Sequence, residues 1–262
     1  MRERQREPAA RHRRADLHEH RRSPEEQGRL RARALLTALA LAAGCSDAVT
    51  YVSLGHVFTA NMTGNTVLLG IAIIAGSAVG VARSACAVVG FCLGVALAAR
   101  GIGARRGRLW SRRVTIALLA EALTLAALAS WAAVLGTAGS QVYWMIALSG
   151  VAMGAQSAAV QAVAIPGVAT TYITGTLTGA VAAAAAGTGK GETQLESPAT
   201  QRLAAAIWIT YLAAAIAGAA GARVAGAQAI WIAAAAVVGV VGVAFRHRHA
   251  LATPAPSPDL LR

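Results

Sequence analysis

The sequence predicts an all-α, polytopic integral membrane protein, a helical bundle with two pseudo-repeated halves. Of its 262 residues, 56% are hydrophobic and only 13% are charged, whereas a soluble domain has about 25% charged residues. Several apolar stretches approach the roughly 20 residues that a helix needs to cross a bilayer. Two motifs rich in Thr and Gly recur in the same position within two series of four apolar segments.

The charge distribution indicates membrane orientation rather than nucleic-acid binding. The net charge is +13, with eleven Arg in residues 1–33 and six in residues 100–113. Arginine beside membrane spans is typical of the cytoplasmic side, so we predict a cytoplasmic N-terminus. The basic stretches lack the interleaved aromatic residues of a nucleic-acid interface. The second stretch offers a surface for anionic lipid headgroups, with the candidates Arg105, Arg106, Arg108, Arg112 and Arg113.

The first half begins after a polar tail. Residues 1–33 contain few apolar residues, so they predict a disordered cytoplasmic tail. The membrane domain is predicted over residues 34–245. Its first half, about 34–135, comprises apolar segments at about 34–54, 64–82, 85–99 and 114–135.

The second half, about 142–245, repeats this order. Its segments lie at about 142–165, 171–186, 203–222 and 227–245, and a short tail follows at 246–262. Gly64 and Gly175 are 111 positions apart in the two Thr-Gly motifs, and the flanking segments match at nearly that offset. This is the pattern that an internal duplication produces.

The sequence leaves the number of crossings open between six and eight. If all eight segments cross, the 100–113 loop lies on the side opposite the tail, against the positive-inside rule. If the segments after the two Thr-Gly motifs are re-entrant, six crossings remain and every Arg-rich end is cytoplasmic. The two halves are then inverted relative to each other. The 64–82 segment, however, is long enough to cross by itself.

Small residues predict where helices pack. The pairs Gly76/Gly80, Gly90/Gly94, Gly150/Gly154 and Gly175/Gly179 are each four residues apart, a spacing that allows close helix contact in membranes. The cysteines Cys45, Cys86 and Cys92 lie in apolar sequence without metal-binding or redox spacing. We therefore predict that they are small buried apolar residues without metal or disulfide roles.

Two acidic residues lie within apolar segments, Asp47 and Glu121. A carboxylate inside a bilayer costs several kcal/mol unless it faces protein or water. Asp47 is therefore a candidate to bind a cation, carry a proton or pair with a substrate amine, and a structural interhelical hydrogen bond is the alternative. For Glu121 we predict a structural pair with Arg112 or Arg113 at the helix end.

The two Thr-Gly motifs supply the other candidate binding residues. A helix that starts inside a membrane exposes N–H groups and the positive end of its dipole, and transporters use such ends to hold anionic groups. Helix capping is the alternative role for these side chains. Gln156 occupies roughly the place of Asp47 in the second half. The candidates are Asn61, Thr63, Gly64, Asn65, Gln156, Thr171, Thr174, Gly175 and Thr178.

These residues resemble a known family. Gly44, Asp47, Ala48 and Tyr51, followed by the run from Gly55 to Asn65, resemble the opening signature of the YoaK-like bacterial membrane proteins, DUF1275. The Gly90–Gly94, Met153–Ala158 and Thr171–Thr178 runs are similar to later parts of the family pattern, although Ser157 stands where Asn is expected. The resemblance covers about residues 34–245. It implies a multi-pass protein of the bacterial inner membrane and brings no established substrate.

The sequence favours a secondary permease or exporter of a small solute, with Asp47 as the coupling group where the two motifs meet. A non-transporting scaffold that binds lipid or protein is the alternative. A permease requires the polar groups to line one water-accessible cavity, whereas a scaffold buries them in direct hydrogen bonds. The sequence contains no phosphate-binding loop, HExxH motif or nucleophile elbow. We therefore expect no enzymatic activity and no cofactor.

Overall fold

A computed structural model describes residues 24–103, 110–163, 177–178, 181 and 198–251. Its elements are helices, joined by turns, and no strand occurs within these ranges. This confirms the all-α helical bundle. The helices are α1 (Pro24–Ser53), α2 (Met62–Ile74), α3 (Ala78–Ile102), α4 (Arg112–Leu135), α5 (Gln141–Val163), α6 (Pro198–Ala225), α7 (Ile230–Arg246) and α8 (Arg248–Leu251), with a 3₁₀ turn at Gly226–Ala229 between α6 and α7.

Local sequence signals set several helix ends. Ser77 and Ser111 cap α3 and α4, because each hydroxyl accepts a hydrogen bond, at 3.2 Å, from the backbone N–H three residues later. Gly103 and Gly136 follow the same two helices with positive φ angles of 72° and 73°. Glycine adopts this conformation at little cost, and it ends many helices.

Within the described ranges, five helical stretches are long and apolar enough to cross a membrane. The last of them, Thr200–Arg246, has 47 residues, about twice the number that one crossing needs, and it comprises α6 and α7. By contrast, α2 has 13 residues. At 1.5 Å per residue it is about 20 Å long, which is too short to cross a hydrocarbon core of about 30 Å.

An apolar cluster at one end of the bundle gives the helix directions. It joins Leu54 after α1, Ala132 near the end of α4, Val142 at the start of α5 and Ala227 in the turn between α6 and α7. Ala87, in the first half of α3, belongs to it as well. Helices α1, α4 and α6 therefore run towards this end, and α3, α5 and α7 run away from it. We call it the turn end of the bundle.

The opposite end is basic. It holds the start of α1, the end of α3, the start of α4 and the end of α7, and α8 contacts α1 there. Of the eleven arginines in the described ranges, only Arg83 and Arg223 lie near the turn end. The other nine are Arg29, Arg31, Arg33, Arg100, Arg112, Arg113, Arg202, Arg246 and Arg248. We call this the basic end.

Glycine contacts join α3 to α5. A Cβ atom added to Gly90 or Gly94 would overlap the backbone carbonyl of Ala147 or Val151, and Gly150 and Gly154 meet the backbone of α3 in return. Since the contact positions advance together along both helices, α3 and α5 run parallel. The predicted packing role of these four glycines is confirmed, and the backbones approach closely because no side chain separates them.

Helices α1 and α6 form a second parallel pair of the same kind. Gly44 of α1 lies against the carbonyl of Tyr211, and Gly218 of α6 lies against Cys45. The buried thiol of Cys45 also lies 3.9 Å from the carbonyl oxygen of Ala229. Cys45 is thus buried as predicted, whereas Cys92 is exposed on the bundle surface.

Several sequence-based boundaries are corrected. Helix α1 begins at Pro24, so residues 24–33 are helical rather than disordered. Proline suits the first turn of a helix, and the acidic residues after it favour the helix dipole. The predicted 64–82 segment is not one helix, because the chain turns between Ile74 and Ala78, with Gly76 at φ 64°. Gly76 is therefore a turn residue and not a packing residue.

The shared location of the chain ends predicts a labelling pattern. In a variant with all three cysteines replaced by alanine, we expect cysteines introduced at Gln27 and His247 to be labelled by an impermeant maleimide from one side of the membrane. Cysteines at Ala138 and Gln228, both exposed near the turn end, should be labelled from the other side. Labelling of Gln27 and His247 from opposite faces would contradict the helix directions.

Candidate functional site

The first Thr-Gly motif folds back into the bundle after α1 ends. Gly55 and His56 have φ angles of 97° and 64°, and the chain reverses there. A positive φ is uncommon for residues other than glycine, so His56 marks a constrained turn. The reversal brings residues 59–61 back beside Asp47, which lies six residues before the end of α1.

The carboxylate of Asp47 is buried and accepts hydrogen bonds at both oxygens. Its Oδ1 accepts from the backbone N–H groups of Thr59 at 2.7 Å, Ala60 at 2.7 Å and Asn61 at 3.4 Å. Its Oδ2 accepts from the hydroxyl of Tyr211 at 2.6 Å. These three consecutive N–H groups precede the first turn of α2, where a negative charge is favoured by the helix dipole.

Two asparagines hold the motif in this shape. Asn61 caps α2, since its Oδ1 accepts from the N–H of Gly64 at 3.2 Å. Asn65 pairs with the backbone of Phe58 in both directions: its Oδ1 accepts from the N–H at 2.9 Å, and its Nδ2 donates to the carbonyl. Asn61 therefore serves the predicted alternative role of a helix cap, and Asn65 holds the turn that precedes α2.

Aromatic rings cover the outer side of the turn. The ring of Tyr51 stacks on that of Phe58 with centroids 5.0 Å apart and contacts that of His56 edge-on at 5.1 Å. Phe58 also lies where a side chain at Gly64 would be placed. Glycine at position 64 thus allows the ring of Phe58 to close over the start of α2.

The structure brings together Asp47, Asn61, Gly64 and Asn65 from the predicted site. Thr63 is exposed on the first turn of α2. Gln156 of α5 is separate, since its Nε2 donates to the carbonyl of Leu39 at 3.1 Å, about two turns along α1 from Asp47. Thr178 is exposed. Thr171, Thr174 and Gly175 lie outside the described residues, as do Arg105, Arg106 and Arg108.

Tyr211 is a site residue that was not predicted from the sequence. It lies on α6, far from Asp47 in sequence, and its hydroxyl reaches the carboxylate across the close contact between α1 and α6. The sequence feature that could have identified it is a tyrosine in the middle of an apolar segment, because a buried hydroxyl there needs a hydrogen-bond partner.

The predicted pairing of Glu121 with Arg112 or Arg113 is wrong. Glu121 is buried, and neither of its carboxylate oxygens has a hydrogen-bond partner among the described residues. Arg113 instead donates from Nη1 to the carbonyl of Ile102 at 3.2 Å. That carbonyl lies at the C-terminal end of α3, where helix carbonyls lack intrahelical partners and attract cations.

The family profile of DUF1275, a protein family of unknown function, matches residues 35–243. The chain belongs to the DUF1275 family. This DUF1275 member is 43% identical over 143 residues to the UPF0700 transmembrane protein YoaK of Bacillus subtilis (strain 168), and the match covers 55% of the chain and 63% of the relative. No solved structure matches the chain. With this transmembrane relative and the apolar helices, the DUF1275 member is a multi-pass membrane protein.

Proposed function

We propose that this protein is a non-enzymatic secondary permease for a small solute, with Asp47 as the group that couples transport to a proton or cation. One observation carries the proposal: the Asp47 carboxylate connects α1 and the start of α2, in the first half of the chain, to Tyr211 in the second half. Movement of one half against the other must lengthen or exchange the bond to Tyr211.

The helix directions support an inverted internal repeat. The sequence match pairs α1 with α5, α3 with α6 and α4 with α7, and the two members of each pair run in opposite directions. The close contact of Gly44 with Tyr211 has a counterpart in that of Gly154 with Phe91. Inverted halves that contain interrupted helices are a recurring design of secondary transporters.

The arginine distribution supports a cytoplasmic basic end. Nine of the eleven described arginines lie there, and positive residues beside membrane spans favour the cytoplasmic side. The N-terminus, the 100–113 loop and the C-terminus then face the cytoplasm of a bacterial cell, with the protein in its inner membrane. The arginines of the 100–113 loop remain candidates for contact with anionic lipid headgroups.

Protonation of Asp47 provides a chemical basis for coupling. The ionised carboxylate accepts hydrogen bonds at both oxygens, whereas a protonated carboxyl carries a donor on one of them. A proton on Oδ2 would displace the hydroxyl proton of Tyr211 from its present direction, and the charge-assisted bond between the halves would weaken. Asp47→Asn should imitate this neutral state.

A single cysteine at Thr63, which is exposed beside the capped start of α2, tests the proposal in the cysteine-free variant. We expect Asp47→Asn, and acidic buffer, to change the labelling rate of this cysteine and the membrane face from which an impermeant reagent reaches it. A cysteine at Ala138, exposed at the turn end, is the control: it should not respond to Asp47→Asn, and its labelling in acidic buffer gives the slowing that any thiol shows as its thiolate fraction falls. A labelling rate of the Thr63 cysteine that, relative to the Ala138 control, is the same with and without Asp47→Asn and at both pH values would oppose a permease.

A membrane scaffold is the second candidate function. The observation in its favour is that Asp47, Asn61 and Asn65 are engaged in direct hydrogen bonds to protein groups. A scaffold that binds lipid or protein needs only this static arrangement. Under this function the Thr63 cysteine is labelled from one face only, whatever residue is present at position 47.

A further inference from the structure

A cavity of about 610 Å³ lies between α3, α4 and α5, on the basic half of the bundle and apart from the Asp47 site. Small residues in its lining leave room for it, among them Gly94, Ala117 and Ala152. Bulk water occupies about 30 Å³ per molecule, so the space holds an organic molecule of moderate size. Leu97 and Ile116, both exposed on the bundle surface, form part of its rim.

Glu121 is the acidic residue among those that line this cavity. Its side chain is 1% exposed, and its two oxygens have no hydrogen-bond partner within the described part of the chain. Arg113, which also lines the cavity, donates to the carbonyl of Ile102. The hydroxyl of Thr124 donates to the carbonyl of Ala120 in its own helix. An ionised carboxylate in such a position is costly unless a cation joins it.

The residues that line the cavity indicate which class of cation it can bind. Hard metal ions require about six oxygen ligands. The residues around Glu121 are mostly aliphatic, and the two arginines of the lining, Arg100 and Arg113, are exposed. An organic ammonium ion needs only one counter-ion, since its N–H groups donate to the carboxylate and its apolar body contacts Leu97, Ile116 and Val151. We propose that this cavity binds a lipophilic ammonium cation, with the Glu121 carboxylate as its counter-ion.

An amine would be the substrate class of the permease, and this role rests on the proposed function. Binding of the amine to the cavity does not depend on whether the protein transports it. The same ammonium group is present on free amphiphilic amines and on the headgroup of phosphatidylethanolamine. Both sources present a positive charge attached to an apolar body, and competition with lipid distinguishes them.

Binding is measured with dansylcadaverine, a fluorescent lipophilic amine, on the purified full-length protein in detergent. We expect saturable binding by the wild-type protein and binding at least about tenfold weaker for Glu121→Gln, because the bound ammonium group loses its buried counter-ion. Glu26→Gln removes an exposed acid from α1 and should bind as the wild type does. The N-acetyl derivative of the probe keeps the apolar body without the charge and should bind weakly to all three proteins.

A second variant tests the cavity itself. Ala98→Leu fills part of the space beside Glu121 and leaves the carboxylate in place, and it should also weaken binding by about tenfold. Vesicles containing phosphatidylethanolamine should displace the probe if the lipid is the natural source, and phosphatidylcholine vesicles serve as their control. Without displacement, the source is a free amine.

Stability separates this role from a structural one. We expect Glu121→Gln to unfold at the same or a higher temperature than the wild type in the absence of ligand, since it removes a buried unpaired acid. A clear loss of stability would show that Glu121 has a structural partner, such as an arginine of residues 104–109, and would overturn the proposal. Equal binding by Glu121→Gln and wild type would overturn it too. If the amine binds but Asp47→Asn does not change the labelling of the Thr63 cysteine, the amine site is supported and the proposed permease function is rejected.

Discussion

Replacing Asp47 with alanine is expected to destabilise the protein by about 3–5 kcal/mol, because a buried charged partner is removed and its donors remain buried. The backbone N–H groups of Thr59 and Ala60 and the hydroxyl of Tyr211 lose their acceptor. The loss of stability should exceed that of a single hydrogen bond, since the carboxylate also holds the start of α2 against α1. Thermal unfolding of the purified protein in detergent measures the effect.

Two milder variants calibrate this result. Tyr211→Phe removes one donor and leaves the three N–H groups paired with Oδ1, so the expected loss is about 1–2 kcal/mol. Asp47→Asn keeps one carbonyl oxygen for the N–H groups, so its loss of stability should lie between those of Tyr211→Phe and Asp47→Ala. If Asp47→Ala were as stable as the wild type, the carboxylate would not organise the motif.

The glycine contact between α3 and α5 predicts a second large effect. Gly94→Leu places a side chain where the backbone of Val151 lies, and neither backbone can move without separating the helices. We expect a loss of about 3 kcal/mol or more, at the upper end of the cost of overpacking, and lower yields of folded protein. The experiment is thermal unfolding combined with size-exclusion chromatography in detergent.

Gly239→Leu is the matched control for this variant. Gly239 lies within α7, and no neighbouring atom is found within 4 Å of a Cβ added there. Leucine also has a higher helix propensity than glycine by about 0.8 kcal/mol, so this variant should be as stable as the wild type or slightly more stable. Similar losses for both variants would mean that the effect of Gly94→Leu arises from glycine replacement in general and not from helix contact.

Several features were predictable from local sequence. The apolar segments predicted α4, α5 and α7 to within a few residues, because a membrane helix requires a continuous apolar stretch of defined length. Asp47 and the Asn61–Asn65 motif were identified because polar groups within apolar sequence need partners. The packing role of Gly90 and Gly94 followed from their spacing on one helix face.

Other features depended on contacts between distant residues. Hydropathy placed the break between the second and third segments at residues 83–84, whereas the chain turns between Ile74 and Ala78. The pairing of Asp47 with Tyr211 spans 164 positions, and nothing local to either residue specifies the other. Proximity in sequence suggested an arginine partner for Glu121, but Arg113 instead contacts the end of α3.

A helical membrane protein of the DUF1275 family, with a conspicuous acid in its first span, was predictable from the amino-acid sequence. These properties follow from composition, segment length and a local motif, each of which acts along the chain. The three-dimensional structure was needed to show that α2 is a separate helix too short to cross by itself, that α1 pairs with α6 and α3 with α5, and that Asp47 is enclosed by hydrogen bonds while Glu121 faces a cavity. The environment of a buried carboxylate is set by the helices packed around it, and these helices come from distant parts of the chain.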